Sequence, residues 1–195
     1  SITLVHPLFR VKVSGQHHIK KNKGYILIAN HTSLGDIVCL YCVGRHFKWI
    51  AKSSLFKIPF FGWAMSLLNY IPLKRGERGS VRDSFQEAQK WLEKDISILI
   101  FPEGTRSRDG TLGRFKSGAA RLAIAAQKPL LPVAIHGAFD SIRADSWLFK
   151  RAHIVISIGE PIRVDAAMKP TALNKLLRER VHQMLDETPL TVSNR

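Results

Sequence analysis

The chain has 195 residues, 45 % of them apolar, with 30 Lys and Arg against 15 Asp and Glu for a formal net charge of +15. That length and apolar fraction allow one folded domain with a sizeable core and exclude global disorder. The charge points to polyanionic partners, namely nucleic acid, anionic lipid or phosphorylated substrates. It is unevenly placed: the first 76 residues hold eleven Lys or Arg and a single carboxylate, Asp36.

In chain order, residues 9–13 alternate as a short strand. Residues 25–29 form a continuous apolar run, which suits a strand buried on both faces. It ends at Asn30, so His31 falls where a strand hands over to a helix over 37–43. Cys39 and Cys42 lie in that helix as a C-x-x-C pair. Without a second pair they cannot make a four-ligand zinc site, and we read them as small buried apolar residues in an intracellular protein.

Residues 48–51 and 70–73 carry weaker strand patterns. Between them, 55–73 is aromatic and apolar, but Lys57, Pro59, Gly62, Asn69 and Pro72 interrupt it. A bilayer span needs ~20 apolar residues, so 55–73 is not expected to cross; it reads equally as a core helix with a Pro-Phe-Phe-Gly start or as a segment that lines an acyl groove or dips into a membrane interface. Residues 80–94 predict a helix, with Ser80 as its cap and Val81, Phe85, Ala88 and Leu92 on one side. A buried strand follows over 96–101. Residues 116–127 predict a helix, 131–135 and 153–158 two more strands, and Thr171 the cap of a last helix over about 171–186. Its stripe is Leu173, Leu177, Val181 and Met184. This alternation predicts an α/β fold, a single domain over 1–195 with a mostly parallel mixed sheet flanked by helices. Its ligands should gather at the carboxyl ends of strands. The chain opens with Ser1 and not Met, and we expect a native segment before it.

Two clusters carry chemistry. In Asn30-His31-Thr32-Ser33-Leu34-Gly35-Asp36, the lone acid of a basic region stands five residues from a histidine. Such an acid can fix the tautomer of the imidazole and stabilise its charged form, as a general base requires. An i, i+5 pair cannot share one helix face, so either Gly35 bends the segment or His31 precedes the helix. The second cluster, Phe101-Pro102-Glu103-Gly104-Thr105-Arg106-Ser107-Arg108, offers a glycine for close backbone approach and guanidinium forks for phosphate. No histidine pair has metal-ligand spacing, so the expected site is metal-free.

Together these blocks resemble the glycerolipid acyltransferase family that includes the bacterial 1-acyl-sn-glycerol-3-phosphate acyltransferases. H-x4-D (31–36) matches the first family block and F-P-E-G-T-R-S-R (101–108) the third. Arg75 falls on the arginine of the second, and Leu131-Pro132-Val133-Ala134-Ile135 is similar to the fourth. The resemblance spans about residues 8–160.

It implies transfer of a fatty acyl group from acyl-CoA or acyl carrier protein to the 2-hydroxyl of 1-acyl-glycerol 3-phosphate, giving phosphatidic acid. No other cofactor is implied. His31 would be the base, with Asp36 orienting it. Arg75 and Arg106 would clamp the phosphate, and Glu103 and Thr105 would bind glycerol hydroxyls or brace the arginines, of which we favour bracing. Gly104, through its amide, and Lys74, through its ammonium, are the expected oxyanion donors. Lys74 stands where the family often has an acid, which leaves glycerol 3-phosphate or a lyso-aminolipid as alternative acceptors. Arg78, Arg108, Arg114 and Lys116 read as surface cations. The partners expected are the lysophospholipid, the acyl donor and an anionic membrane surface, not nucleic acid. The place expected is the cytoplasmic face of the inner or plasma membrane. A purely binding basic module would account for the charge but not for Asp36 or the 101–108 block.

Overall fold

The structure, a computed structural model, describes residues 2–5, 9–33, 35–139 and 152–188. Leu34, inside the His31–Asp36 segment, lies outside them. The strands are β1 (Ile2–Val5), β2 (Phe9–Ser14), β3 (Ile26–Ala29), β4 (Phe47–Lys52), β5 (Ile71–Leu73), β6 (Ser97–Ile100), β7 (Leu130–His136) and β8 (Ala152–Ile158). The helices are α1 (Gly35–Leu40), α2 (Phe61–Leu67), α3 (Arg78–Glu93), α4 (Gly118–Ala126) and α5 (Pro170–Glu187). Short 3₁₀ turns at Tyr41–Val43 and Ser53–Lys57 extend α1 and lead into α2.

The strands form one mixed sheet in the order β1-β2-β8-β7-β3-β6-β4-β5. Pairing is parallel from β7 through β3, β6 and β4 to β5, and again between β2 and β8. It is antiparallel at β1–β2 and β7–β8. The central strands are the uninterrupted apolar runs of the sequence, because helices cover both faces of a parallel sheet.

Successive residues alternate between two cores. Leu27, Ala29, Leu99, Leu131 and Val133 point to a first face, covered by Cys39, Leu40 and Val43 of α1 and its extension and by Met65 of α2. Ile26, Ile28, Ile98 and Leu130 point to a second face, under α3, α4 and α5. The α5 stripe of Leu173, Leu177, Val181 and Met184 is buried as read.

Differences gather at element ends. Helix α3 starts at Arg78, with Glu77 at its cap position, so Ser80 lies inside the first turn; its Oγ accepts the Lys74 backbone N–H at 2.9 Å. Helix α5 starts at Pro170, whose fixed φ suits the first helical position, and Lys169 takes the cap expected of Thr171. Strand β1 has no pattern of its own in the sequence, and α2 is a short helix beginning within the Pro-Phe-Phe-Gly stretch of 59–62.

Candidate active site

The site begins where β3 stops. Asn30, buried, clasps the β7 backbone with both ends of its amide: Nδ2 donates to the Ile135 carbonyl at 2.9 Å, and Oδ1 accepts the Ile135 N–H at 2.8 Å. That clasp fixes the carboxyl end of β3 between its neighbours and delivers His31 to the rim. His31 precedes α1, which begins at Gly35.

Asp36 lies in the first turn of α1 and is fully buried. Its Oδ2 accepts three hydrogen bonds: from His31 Nδ1 at 2.9 Å, the Thr32 N–H at 2.7 Å and the Ser33 N–H at 2.8 Å. Two backbone amides thus hold the carboxylate where the imidazole meets it. A carboxylate only accepts, so Nδ1 carries a proton, and the neutral tautomer this selects has its lone pair on Nε2. The imidazole stacks on Phe101, with centroids 4.1 Å apart, and its side chain keeps 13 % of its surface exposed.

The 101–108 block, just past β6, grips the backbone of His31 from both sides. Glu103 Oε1 accepts the His31 N–H at 2.8 Å, and the Ser107 N–H donates to the His31 carbonyl at 2.8 Å. Glu103 Oε2 accepts the Gly113 N–H at 2.9 Å. Burial pushes the Glu103 carboxyl above the usual carboxylate range, against the pull of those two amides. Both its oxygens are engaged with backbone, which gives Glu103 a bracing part.

Gly104 has φ +75°, and a Cβ there would sit 2.9 Å from the Lys116 ammonium, so that glycine makes room for a cation. Its amide is not the free oxyanion donor expected, because the N–H is turned inward to the Phe101 carbonyl at 3.1 Å. Lys74 is likewise placed elsewhere: its ammonium stands 3.5 Å from Glu77, in a cleft with Ser80 and Asp83 that Arg75 does not line.

Arg75 lines a cleft of about 230 Å³ with Leu73, Phe85, Phe101 and Gly104. Arg106 lines a neighbouring cleft of about 1030 Å³ with Thr105, Arg108 and Arg114. Lys116 lines both. Lys116, a surface cation by its sequence, thus stands between the two clefts, and only the left-handed turn at Gly104 marks its place.

Cys39 and Cys42 are free thiols; burial above all pushes Cys39 up to about 12, far from a reactive thiolate. Among the described residues no group of three or more His, Cys, Asp or Glu is placed to hold a metal ion.

A family model described as Acyltransferase matches residues 10–136. A chloroplastic 1-acyl-sn-glycerol-3-phosphate acyltransferase of Arabidopsis thaliana is 30 % identical over 184 residues, covering 93 % of this chain and 51 % of the plant protein. The Saccharomyces cerevisiae 1-acyl-sn-glycerol-3-phosphate acyltransferase is 34 % identical over 166 residues, covering 82 % of this chain and 54 % of its own. The chain therefore spans about half the length of these curated relatives. The crystal structure of the 1-acyl-sn-glycerophosphate acyltransferase PlsC from Thermotoga maritima superposes with a TM-score of 0.82 at 32 % identity, over 94 % of this chain and 74 % of that one.

Proposed function

The chain belongs to the acyltransferase family, and on that premise we propose that it esterifies the 2-hydroxyl of a 1-acyl-glycerol 3-phosphate to give phosphatidic acid. The observation that carries the reading is the His31–Asp36 pair at 2.9 Å, set at the rim by the 101–108 block.

A substrate alcohol is a weak nucleophile at neutral pH and needs a base within hydrogen-bond reach. Nε2 of His31 takes the hydroxyl proton as the oxygen attacks the thioester carbonyl. Asp36 Oδ2 holds the imidazolium that forms. When the tetrahedral intermediate collapses, the C–S bond breaks, and the proton on Nε2 passes to the departing thiolate. The ester and a free thiol are the products, and no acyl-enzyme is needed.

Arg75, Arg106 and Lys116 are the cations for the acceptor phosphate, two in separate clefts and Lys116 against both. With Gly104 and Lys74 otherwise engaged, Lys116, seated over Gly104 of the third block, is also the cation for a developing oxyanion. The donor is acyl-CoA or acyl carrier protein, and the working place is the cytoplasmic face of a membrane.

The test is thiol release from acyl-CoA and from acyl carrier protein across lysophosphatidate, glycerol 3-phosphate and a lyso-aminolipid. Release dependent on lysophosphatidate, and lost in a folded His31→Ala variant, is the expected result. Turnover retained in His31→Ala, or thiol release indifferent to acceptor, would overturn the proposal.

A further inference from the structure

Ten large apolar side chains are exposed among the described residues, and eight belong to the elements over the first face of the sheet. Val38 and Tyr41 stand on α1 and its extension; the other six lie within residues 58–68, around α2. Only Met168 and Leu176 are found elsewhere, at the start of α5 and on it. The inner sides of these same elements are already filled by Cys39, Leu40 and Met65. They are apolar on both sides, as suits a segment that meets a second apolar phase.

The tip is built under strain. The Phe61 N–H donates to the Pro59 carbonyl at 2.6 Å across Phe60, whose φ of +61° and ψ of −54° make the rare form of γ-turn. A bulky residue holds such a backbone only where its surroundings impose it. Here Gly62 packs so closely on the Phe56 carbonyl that no Cβ fits. The outcome is a Phe60 ring 78 % exposed, set edge-on against Trp63 at 60 %, with Leu67 at 82 % one helix length away. Strain that holds a phenyl ring in water calls for a compensating contact.

Charge identifies the occupant. Between Asp36 and Glu77 the chain has no carboxylate, and Asp36 itself is fully buried, so these elements show no acid to an anionic surface. Lys57 is exposed beside the apolar tip. The His31 ring is on this side too, because its stacking partner Phe101 packs with Trp49 in the first core.

We propose that the face formed by α1, its 3₁₀ extension and α2 seats the protein on an anionic phospholipid bilayer, with Phe60, Trp63 and Leu67 in the acyl boundary. This deepens the acyl-transfer reading and rests on it only for direction: the acceptor would reach His31 from the membrane side.

The experiment is flotation with vesicles of phosphatidylcholine alone and of phosphatidylcholine with phosphatidylglycerol. The wild-type chain should bind the anionic vesicles, less so at high salt. A Phe60→Ser, Leu67→Ser variant should bind about a hundredfold more weakly, as losing two embedded side chains predicts. Met168→Ser with Leu176→Ser, on the other side, should leave binding unchanged. Phe60→Gly should raise the unfolding temperature while weakening binding, since glycine relieves the turn and removes the anchor.

Equal loss in both double variants, or a dimer in sedimentation that the Phe60, Leu67 variant dissolves, would overturn the docking face. Turnover on a short-chain lysophosphatidate below its micellar concentration keeps the two readings apart. The Phe60, Leu67 variant should retain it. A wild-type chain inactive there would count against acyl transfer and leave vesicle binding standing.

Discussion

Asp36 gathers three donors on one oxygen, while its other oxygen, Oδ1, is buried without a partner among the described residues. Asparagine could keep the accepting oxygen toward His31 and the two amides, but it would turn an NH2 into a place with no acceptor. It would also remove the charge that steadies the imidazolium. Asp36→Asn should therefore lower kcat by about 10²–10⁴ with little change in KM, and cost about 1–3 kcal/mol in unfolding free energy. A variant with raised KM and unchanged kcat would show that Asp36 binds substrate rather than serving the base. Glu103 offers a contrast. It touches backbone only, at His31 and Gly113. In Glu103→Gln one of those N–H groups must face an amide NH2, so stability should fall by about 1–3 kcal/mol and kcat with it. Thermal unfolding and steady-state kinetics on one preparation check both; a fall in kcat at full stability would assign Glu103 to the substrate.

At the scale of elements, the contact of β7 with α5 holds a pH-dependent weakness. His136 ends β7 half-buried, and its Nε2 has no partner among the described residues. Burial pulls it below the ordinary histidine value, although the Met184 carbonyl and Asp186 act the other way. A depressed value means that its contribution to stability is present above the unfolded value of about 6.5 and is lost as pH falls through the folded one. Urea midpoints should drop from pH 7 to pH 5, and His136→Gln should flatten that slope; an unchanged slope would assign the acid sensitivity to other groups.

The same elements show what the sequence makes readable. The runs at 26–29, 97–100 and 130–135 announce strands because they are apolar on both sides, and the α5 stripe announces its helix by period. Helix starts are harder: Ser80 and Thr171 look like caps, yet Glu77 with Gly76 and Lys169 with Pro170 begin those helices earlier. Within the site, His31 and Asp36 are visible because they are close in sequence and Asp36 has no acidic neighbour. The Asn30 clasp on Ile135 joins residues 105 apart, and the seat of Lys116 over Gly104 depends on one left-handed turn. Neither has a local signal, so the bracing and the third cation come only with the fold.

Across the whole molecule, the surplus of +15 sets how an anionic acceptor arrives. Arg106, Arg108, Arg114 and Lys116 line one cleft, and none of them forms an ion pair among the described residues. Two carboxylates share that cleft: Glu103 is held by two backbone amides, and Asp109 is drawn to Ser107 and Thr111. The cleft therefore presents positive potential to solvent. Such a field raises encounter rates and is screened over about 10 Å at 0.1 M salt. The expected signature is kinetic. For a soluble, monomeric lysophosphatidate, kcat/KM should fall about tenfold as ionic strength rises from about 0.02 M to 0.5 M, while kcat stays constant. An uncharged monoacylglycerol should show no such slope. Replacing Arg108 and Arg114 by Glu should flatten the slope for the phosphate-bearing acceptor without touching kcat, because neither residue contacts His31 or Asp36. A salt dependence that survives those substitutions would locate the steering charges in the basic first 76 residues instead of this cleft.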